Sequence, residues 1–305
     1  MVKAYLKLGL AAKLALIELF ETFGFDIPNY IHTPNIMKKD DNGNLRKISK
    51  RKDPEASMSY YTLHGYPTLA VKESLMTIIN SNYEEWHTAN PDKSYLEFVY
   101  SPKKMSATGG ALYDMEKLNN ISKNIISKMS AVEVYDELDK WTSKYDKEFN
   151  ELINKYKDYT IGILNIEREQ KKPRKDFENY ESVRGLIWYM YDELYKPTTF
   201  EYGNINDLDE IKNILNTYME KYYNESDDKD EWFNKIKLLC DELGYASNMK
   251  EYRENPDNFK GNVADVSTVI RVSITSKSQT PDLYEIMRLL GKTRIIDRIS
   301  KIKID

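Results

Sequence analysis

KISKRKDPEASMSYYTLHGYPTLAV, Lys47–Val71, is the stretch on which the fold turns. Arg46, Lys47, Lys50, Arg51 and Lys52 place five cations within seven residues, and a helix start follows at once. Asp53 is a capping residue type. Pro54 suits a first helical position, where its missing N–H is not needed, and Glu55 sits favourably on the positive end of the helix dipole. Gly65 is placed to end that helix and Pro67 to open the next, through TLAVKESLMTIIN. The stretch predicts a compact cationic loop held against a helix N-terminus at the entrance to a helical region. It raises the question of which anion the loop meets.

Upstream, YIHTPNIMK (Tyr30–Lys38) is a short apolar run between Pro28 and the polar turn KDDNGN, and reads as a strand. The turn returns through Leu45 into the basic loop. A helix, strand, loop and helix in this order look like the second half of a nucleotide-binding α/β domain. At the N-terminus, Leu6, Leu10, Leu14, Ile17 and Phe20 recur at helical spacing. Lys13 and Glu18 interrupt the apolar run and no small-residue cleavage site follows, so the segment reads as a core helix rather than a targeting signal. No stretch is long enough to span a bilayer, and the expected location is cytoplasmic.

Downstream nearly everything reads as helix. Asp114 starts MEKLNNISKNIISKM, Ser130 and Glu133 form a capping box, and Asp146 starts a helix to about Tyr156. Others run from Asp207 to Tyr223, from Asp230 to Leu243 with Gly244 as stop, from Val263 to Ile274, and from Thr280-Pro281 to Leu290 with Gly291 as stop. The turn YKPTTFEYGN marks a boundary. The expected class is mainly α, with the C-terminal part of an α/β domain over residues 1–65, a helical region over 66–195 and a helical C-terminal domain over 196–305.

With 305 residues, 41% hydrophobic and 31% charged, the chain can bury a core and holds roughly two domains. The net charge of −4 means that a polyanion partner must be met by local clusters rather than by the field of the whole chain. A single cysteine, Cys240, excludes an internal disulfide and lies on an apolar face with Trp232, Ile236, Leu239 and Leu243, as an inert buried thiol would. His32, His64 and His87 are far apart and pair with no acidic residue at metal-ligand spacing, so no metal site is expected. The 24 tyrosines read mostly as half-buried helix residues rather than as base-stacking platforms.

A lysine and arginine cluster is by itself a weak signal. Its order sharpens it here, because two lysines on a loop between strand and helix can reach a polyphosphate as separate point charges. Ser49 keeps that loop small. A second cluster, QKKPRKD, places Lys171, Lys172, Arg174 and Lys175 around Pro173, which forbids helix. It suits a phosphate backbone about as well as it suits a solvated turn. SPKKMSATGG offers Lys103 and Lys104 beside glycines that let a backbone approach closely.

KISKR followed by KDPEA resembles the KMSKS-type loop of class I aminoacyl-tRNA synthetases, in the variant of the bacterial glutamyl-tRNA synthetases. YYTLHGYPTLAV, GGALYDMEKLNNISKNIISKM and IRVSITSKSQTPDLYEIMRLLGKTRIIDRI resemble further segments of that family in the family's order. The resemblance covers the chain from about Tyr30 to its end. One departure is plain, since no HIGH-type motif and no Gly-rich phosphate loop occurs. The chain resembles a C-terminal portion of the enzyme, either a separately produced piece or a naturally truncated protein.

What the resemblance implies follows residue by residue. Lys50 would contact ATP phosphates with Lys47 assisting, Ser49 would set the loop conformation, and Arg51 would shape the loop beside the phosphates. The complete enzyme would use ATP and Mg2+ to attach glutamate to tRNA, while no cofactor is expected on this chain. Lys103, Lys104, Lys171, Lys172, Arg174 and Lys175 would meet tRNA, and Arg271, Arg288 and Arg294 are candidates for reading the anticodon. Arg271 lies in an apolar helix and equally reads as buried against an acidic partner. The chain is expected to be monomeric and inactive alone. The rivals are a stand-alone RNA-binding paralogue without catalysis, and a ligase that also charges glutamine tRNA.

Overall fold

The computed structural model describes residues 10–27, 35–105 and 111–302. Leu6, most of the expected strand from Tyr30, His32, Gly109 and Gly110 lie outside them. The helices in chain order are α1 (Leu10–Thr22), α2 (Met58–Leu63), α3 (Thr68–Ile79), α4 (Tyr83–Ala89), α5 (Met115–Lys128), α6 (Ala131–Tyr145) and α7 (Lys147–Lys155). They continue as α8 (Lys157–Asn165), α9 (Tyr180–Ile187), α10 (Leu208–Thr217), α11 (Lys229–Leu243), α12 (Met249–Glu254), α13 (Val263–Thr275) and α14 (Leu283–Ser300). Three short strands, β1 (Ile36–Lys39), β2 (Leu45–Lys47) and β3 (Ala111–Leu112), form one sheet in the order β2-β1-β3. The chain divides into two compact units, residues 1–48 with 76–113, and residues 49–75 with 114–305.

The first unit holds the sheet. β1 and β2 are antiparallel with Met37 opposite Lys47, and β3 runs parallel to β1. The turn between β1 and β2 forms because the Asp40 carboxylate accepts the N–H groups of Asn42 and Asn44 at 3.0 and 2.8 Å. Gly43 supplies the left-handed residue there, at φ 80°. Tyr83 is buried edge-on against Phe98, with ring centroids 5.2 Å apart.

In the second unit the helix starts follow side-chain chemistry. The Asp114 carboxylate accepts from Glu116 and Lys117 N–H, Ser130 and Glu133 form a reciprocal capping box, and Asp146 accepts from Phe149 N–H. Asp228, two residues before the expected start, caps α11, and Gly244 ends that helix at φ 81°. Gly291 leaves helical geometry at φ 74°, as its stop signal implied, but helix resumes immediately and runs to Ser300. α4, α8, α9 and α12, each of six to nine residues, were not legible because so short a helix shows only about two turns of pattern. One continuous core runs from Ile126 to Ile295 and includes Leu138, Phe149, Ile153, Met190, Ile214, Leu239, Ile270 and Ile286.

The opening stretch folds differently from a single capped helix. Residues Pro54–Ala56 form a 3-10 turn, Ser57 breaks it with extended backbone, and α2 begins after the break. α2 closes in a Schellman motif, with Tyr66 N–H on Tyr61 O at 2.9 Å and Gly65 N–H on Thr62 O at 3.2 Å. Gly65 is also the docking point of this segment. Trp141 Nε1 donates to Leu63 O at 3.0 Å, and Tyr180 N–H donates to Gly65 O at 3.0 Å.

A Cβ on Gly65 would lie 2.9 Å from the Trp141 ring and from Tyr180 Cβ, on a backbone at φ 70°. Gly65→Ala should therefore cost about 2–4 kcal/mol from left-handed strain and overpacking together. Gly185→Ala, in open space within α9, should be neutral or slightly stabilising. Urea unfolding of both variants checks this pair, and equal midpoints would show that Gly65 does not dock the segment.

Candidate nucleic-acid interface

The cationic loop is shaped by its own backbone. Ser49 N–H donates to the Asp53 carboxylate at 2.8 Å, while Ser49 O accepts from Lys52 N–H and Asp53 N–H at 3.0 and 2.8 Å. Asp53 is 1% exposed and makes no side-chain cap of the helix start. Its carboxylate reaches back into the loop instead, so the expected cap is a loop clamp. Ser49 Oγ lies 3.4 Å from Arg51 N–H, its acceptor side toward that donor. These bonds define the loop as a turn. Lys47 belongs to β2, and Lys47, Lys50, Arg51 and Lys52 are all exposed.

Lys103 and Lys104 are exposed on a short 3-10 turn in the first unit. The Lys104 carbonyl accepts from both Ser81 N–H and Ser81 Oγ at 3.0 Å, which fixes the backbone that carries the two cations.

The cluster around Pro173 is not four equivalent charges. Lys171, Lys172 and Lys175 are exposed. Arg174 is committed, because its N–H donates to Glu167 O at 3.1 Å, its Nη1 approaches Glu167 Oε2 at 3.5 Å, and its Nε donates to Asp176. Arg294 is committed too, with Nε on Asp192 at 2.9 Å and Nη1 on Tyr159 OH at 3.0 Å. Burial raises the Tyr159 hydroxyl to about 12 against the pull of Arg294 and Arg298. Arg288 is exposed and pairs with Glu285 one turn away at 3.2 Å.

Arg271 stands apart. It lines an open cavity of about 480 Å³ walled by Glu167, Arg174, Trp232, Phe233, Thr280 and Asp282 among others. Lys229 lines it too and is neutralised by Asp282 at 2.7 Å. Burial lowers the Arg271 pKa, with Asp282 acting in the opposite direction, and its Nε is buried with no hydrogen-bond partner among the described residues. A partly desolvated guanidinium lining the same cavity as two aromatic side chains is an arrangement that takes a planar group bearing acceptors. A neighbouring cavity of about 260 Å³ shares Glu167 and Lys229 and adds Arg168, Glu169, Arg288 and Leu289. The sequence reading missed Trp232, Phe233, Thr280 and Pro281 as lining residues. Only their joint packing around α13 brings them together.

Arg168, which has no role in the sequence reading, is structural. Arg168 donates to Leu164, Ile126 and Met129 carbonyls at 2.7–2.9 Å, closing the end of α5. Among the described residues no group of three His, Cys, Asp or Glu side chains could hold a metal ion, and no helix is long and apolar enough to cross a membrane.

Residues 188–303, which include Arg271, Trp232, Phe233 and Thr280, match the family described as anticodon binding domain. Over those residues the helices α10 to α14 are therefore similar to an anticodon binding domain. It is 46% identical over 285 residues to a glutamate–tRNA ligase of Acetivibrio thermocellus, covering 93% of this chain and 52% of that relative. A glutamate–tRNA ligase of Clostridium perfringens strain SM101 is 43% identical over 288 residues with the same coverage. A crystal structure of glutamate–tRNA synthetase from Elizabethkingia anophelis superposes with a TM-score of 0.57 at 16% identity, covering 95% of this chain and 54% of that one, a likeness of fold alone. The chain is a homologue of the glutamate–tRNA ligases and spans about half the length of the curated relatives it matches.

Cys240 is fully buried, and burial raises its thiol pKa to about 12. The native protein should leave a thiol reagent such as dithionitrobenzoate unreacted at pH 8, and denaturant should release one equivalent. Rapid reaction of the native chain would show that α11 opens readily.

Proposed function

We propose that this chain is the tRNA-binding part of a glutamate–tRNA ligase, with the anticodon read at the Arg271 cavity. The observation that carries it is Arg271, partly desolvated, lining one cavity together with Trp232 and Phe233 inside the segment that matches an anticodon binding domain. Single-stranded anticodon bases can be splayed out, stacked on aromatic rings and hydrogen-bonded at their edges. Arg288 is a second candidate reader at the neighbouring cavity. Lys171, Lys172 and Lys175, and separately Lys103 and Lys104, contact phosphates and fix position without specifying sequence.

In the complete ligase, Lys50 with Lys47 and Arg51 would hold ATP phosphates, and Ser49 would set the loop. Their exposed charges suit a pyrophosphate whose negative charge grows as it leaves. Mg2+ would neutralise the same phosphates. The division into a loop-bearing part to residue 65, a stem-contacting part to 195 and an anticodon-binding part to 305 belongs to this reading. So do cytoplasmic location and a monomeric state. The chain alone should support no glutamate-dependent ATP–pyrophosphate exchange, since half a site cannot orient its reactants.

The test is a salt titration of binding to glutamate tRNA and to anticodon-substituted tRNA. The parent should bind with a log–log slope of about −0.9 per duplex phosphate neutralised, or about −0.7 per single-strand phosphate. Changing Lys171, Lys172 and Lys175 together to Ala should weaken all tRNAs similarly and flatten the slope. Arg271→Ala should instead cost about 1–3 kcal/mol on the matched tRNA and relax discrimination. An Arg271→Ala chain that discriminates like the parent would remove Arg271 from the anticodon site. No binding by the parent at low salt would overturn the reading as a whole.

A further inference from the structure

Glu167 and Ser276 are the non-glycine residues that hold left-handed backbone among the described residues, at φ 56° and 59°. Ser276 is the C-cap of α13, a common place for that conformation. Glu167 is the third residue of a turn closed by Arg168 N–H on Asn165 O at 3.0 Å, in which Ile166 at φ −55° and ψ 124° sets a type II geometry whose left-handed position normally goes to Gly or Asn. Strain of this kind persists where the surroundings over-determine it, and it clusters at binding sites.

The surroundings of Glu167 are specific. Its carbonyl accepts Arg174 N–H at 3.1 Å. Its Oε2 accepts Asp282 N–H at 3.1 Å and lies 3.5 Å from Arg174 Nη1. Asp282 is itself the N-cap of α14, accepting Glu285 N–H at 3.0 Å, and pairs with Lys229. One carboxylate thus joins the segment after α8, the turn carrying Lys171 and Lys172, and the first turn of α14. The same residue lines both the 480 Å³ cavity of Arg271 and the 260 Å³ cavity of Arg288.

We propose that Glu167 is a positioning residue for anticodon discrimination. Through Asp282 N–H and Arg174 it fixes the wall between the two cavities, and so the spacing at which neighbouring unstacked nucleotides are accepted. This rests on the anticodon reading above. Glu167 contacts no base in this scheme. Its acceptor oxygen, held in place by strained backbone, keeps α14 and the cationic turn in register.

The experiment compares Glu167→Gly and Glu167→Gln with the parent chain. The probes are unmodified transcripts of glutamate tRNA and of the same RNA with one anticodon base changed. Gly relieves the strain and removes the acceptor, whereas Gln keeps an acceptor at the same reach. The Gly variant should lose about tenfold of the matched-to-mismatched affinity ratio, with its melting temperature not lowered. The Gln variant should keep most of the ratio. A Gly variant with the parent's ratio overturns the proposal, and so does a Gln variant that falls as far as Gly. A Gly variant that weakens both RNAs equally shows a structural role only and also overturns it. A parent that binds both transcripts equally overturns the anticodon reading, and this proposal with it. A parent that discriminates beside an unchanged Gly variant overturns this proposal alone.

Discussion

Arg298 is 4% exposed, and two elements end on its guanidinium. It donates to the carbonyls of Tyr189 at 2.8 Å and Ile274 at 2.7 Å, reaches Asp192 at 3.2 Å, and lies over the Tyr195 ring at 3.8 Å. Helix C-termini carry carbonyls with no partner in their own helix, and a buried carbonyl left unpaired costs about 1–3 kcal/mol. Where several helix ends meet inside one core, something must supply donors. Arg298 does so for the 3-10 turn Trp188–Met190 that follows α9 and for the end of α13, and Arg168 does so for α5. Removing either would leave carbonyls unpaired, so the angle at which α13 crosses its neighbours depends on this side chain.

That angle matters because α13 carries Arg271. A helix whose buried face is Val266, Val269, Ile270, Val272 and Ile274 has little freedom to rotate. The one long cation on it is therefore held at the edge of the core, half desolvated, with its direction set by packing rather than by an ion pair. The loops that complete the cavity are fixed by side-chain to backbone bonds of the same economy. Glu167 accepts from Asp282, Asp282 caps α14, and Lys229 closes on Asp282. The cationic loop near Ser49 is built likewise, with a buried carboxylate at Asp53 accepting a backbone N–H and leaving the lysines outside.

Much of this was legible in the sequence, for a physical reason. Caps such as Asp114, Ser130, Asp146 and Asp207, and the stop at Gly244, act on backbone groups within four residues, so their effect can be read locally. Cys240 among apolar residues at helical spacing is local in the same sense. The family resemblance carried the function, and the comparisons agree with it. What was not legible depends on partners far along the chain. Asp53 reads as a cap because local rules cannot know that its carboxylate turns back to Ser49, with Ser57 breaking the helix. Arg168, Arg174, Arg294 and Arg298 look like any surface cations until helix ends and carboxylates from elsewhere arrive beside them. Arg271 was ambiguous between burial and recognition, and the fold gives it features of both. Glu167 carried no sequence signal, since it holds a turn position usually given to Gly or Asn and its bonding partners are residues 174 and 282, one of them far along the chain.

Anticodon recognition by this chain requires nucleic acid to enter the cavity lined by Arg271. Hydrogen exchange of this chain, free and saturated with glutamate tRNA, measures that most directly. Amides of residues 167–175 and of 280–285 should exchange more slowly in the complex, while those of the first turns of α6 should not change. Binding that leaves residues 167–175 and 280–285 exchanging as in the free chain would place the RNA on another face and contradict the account.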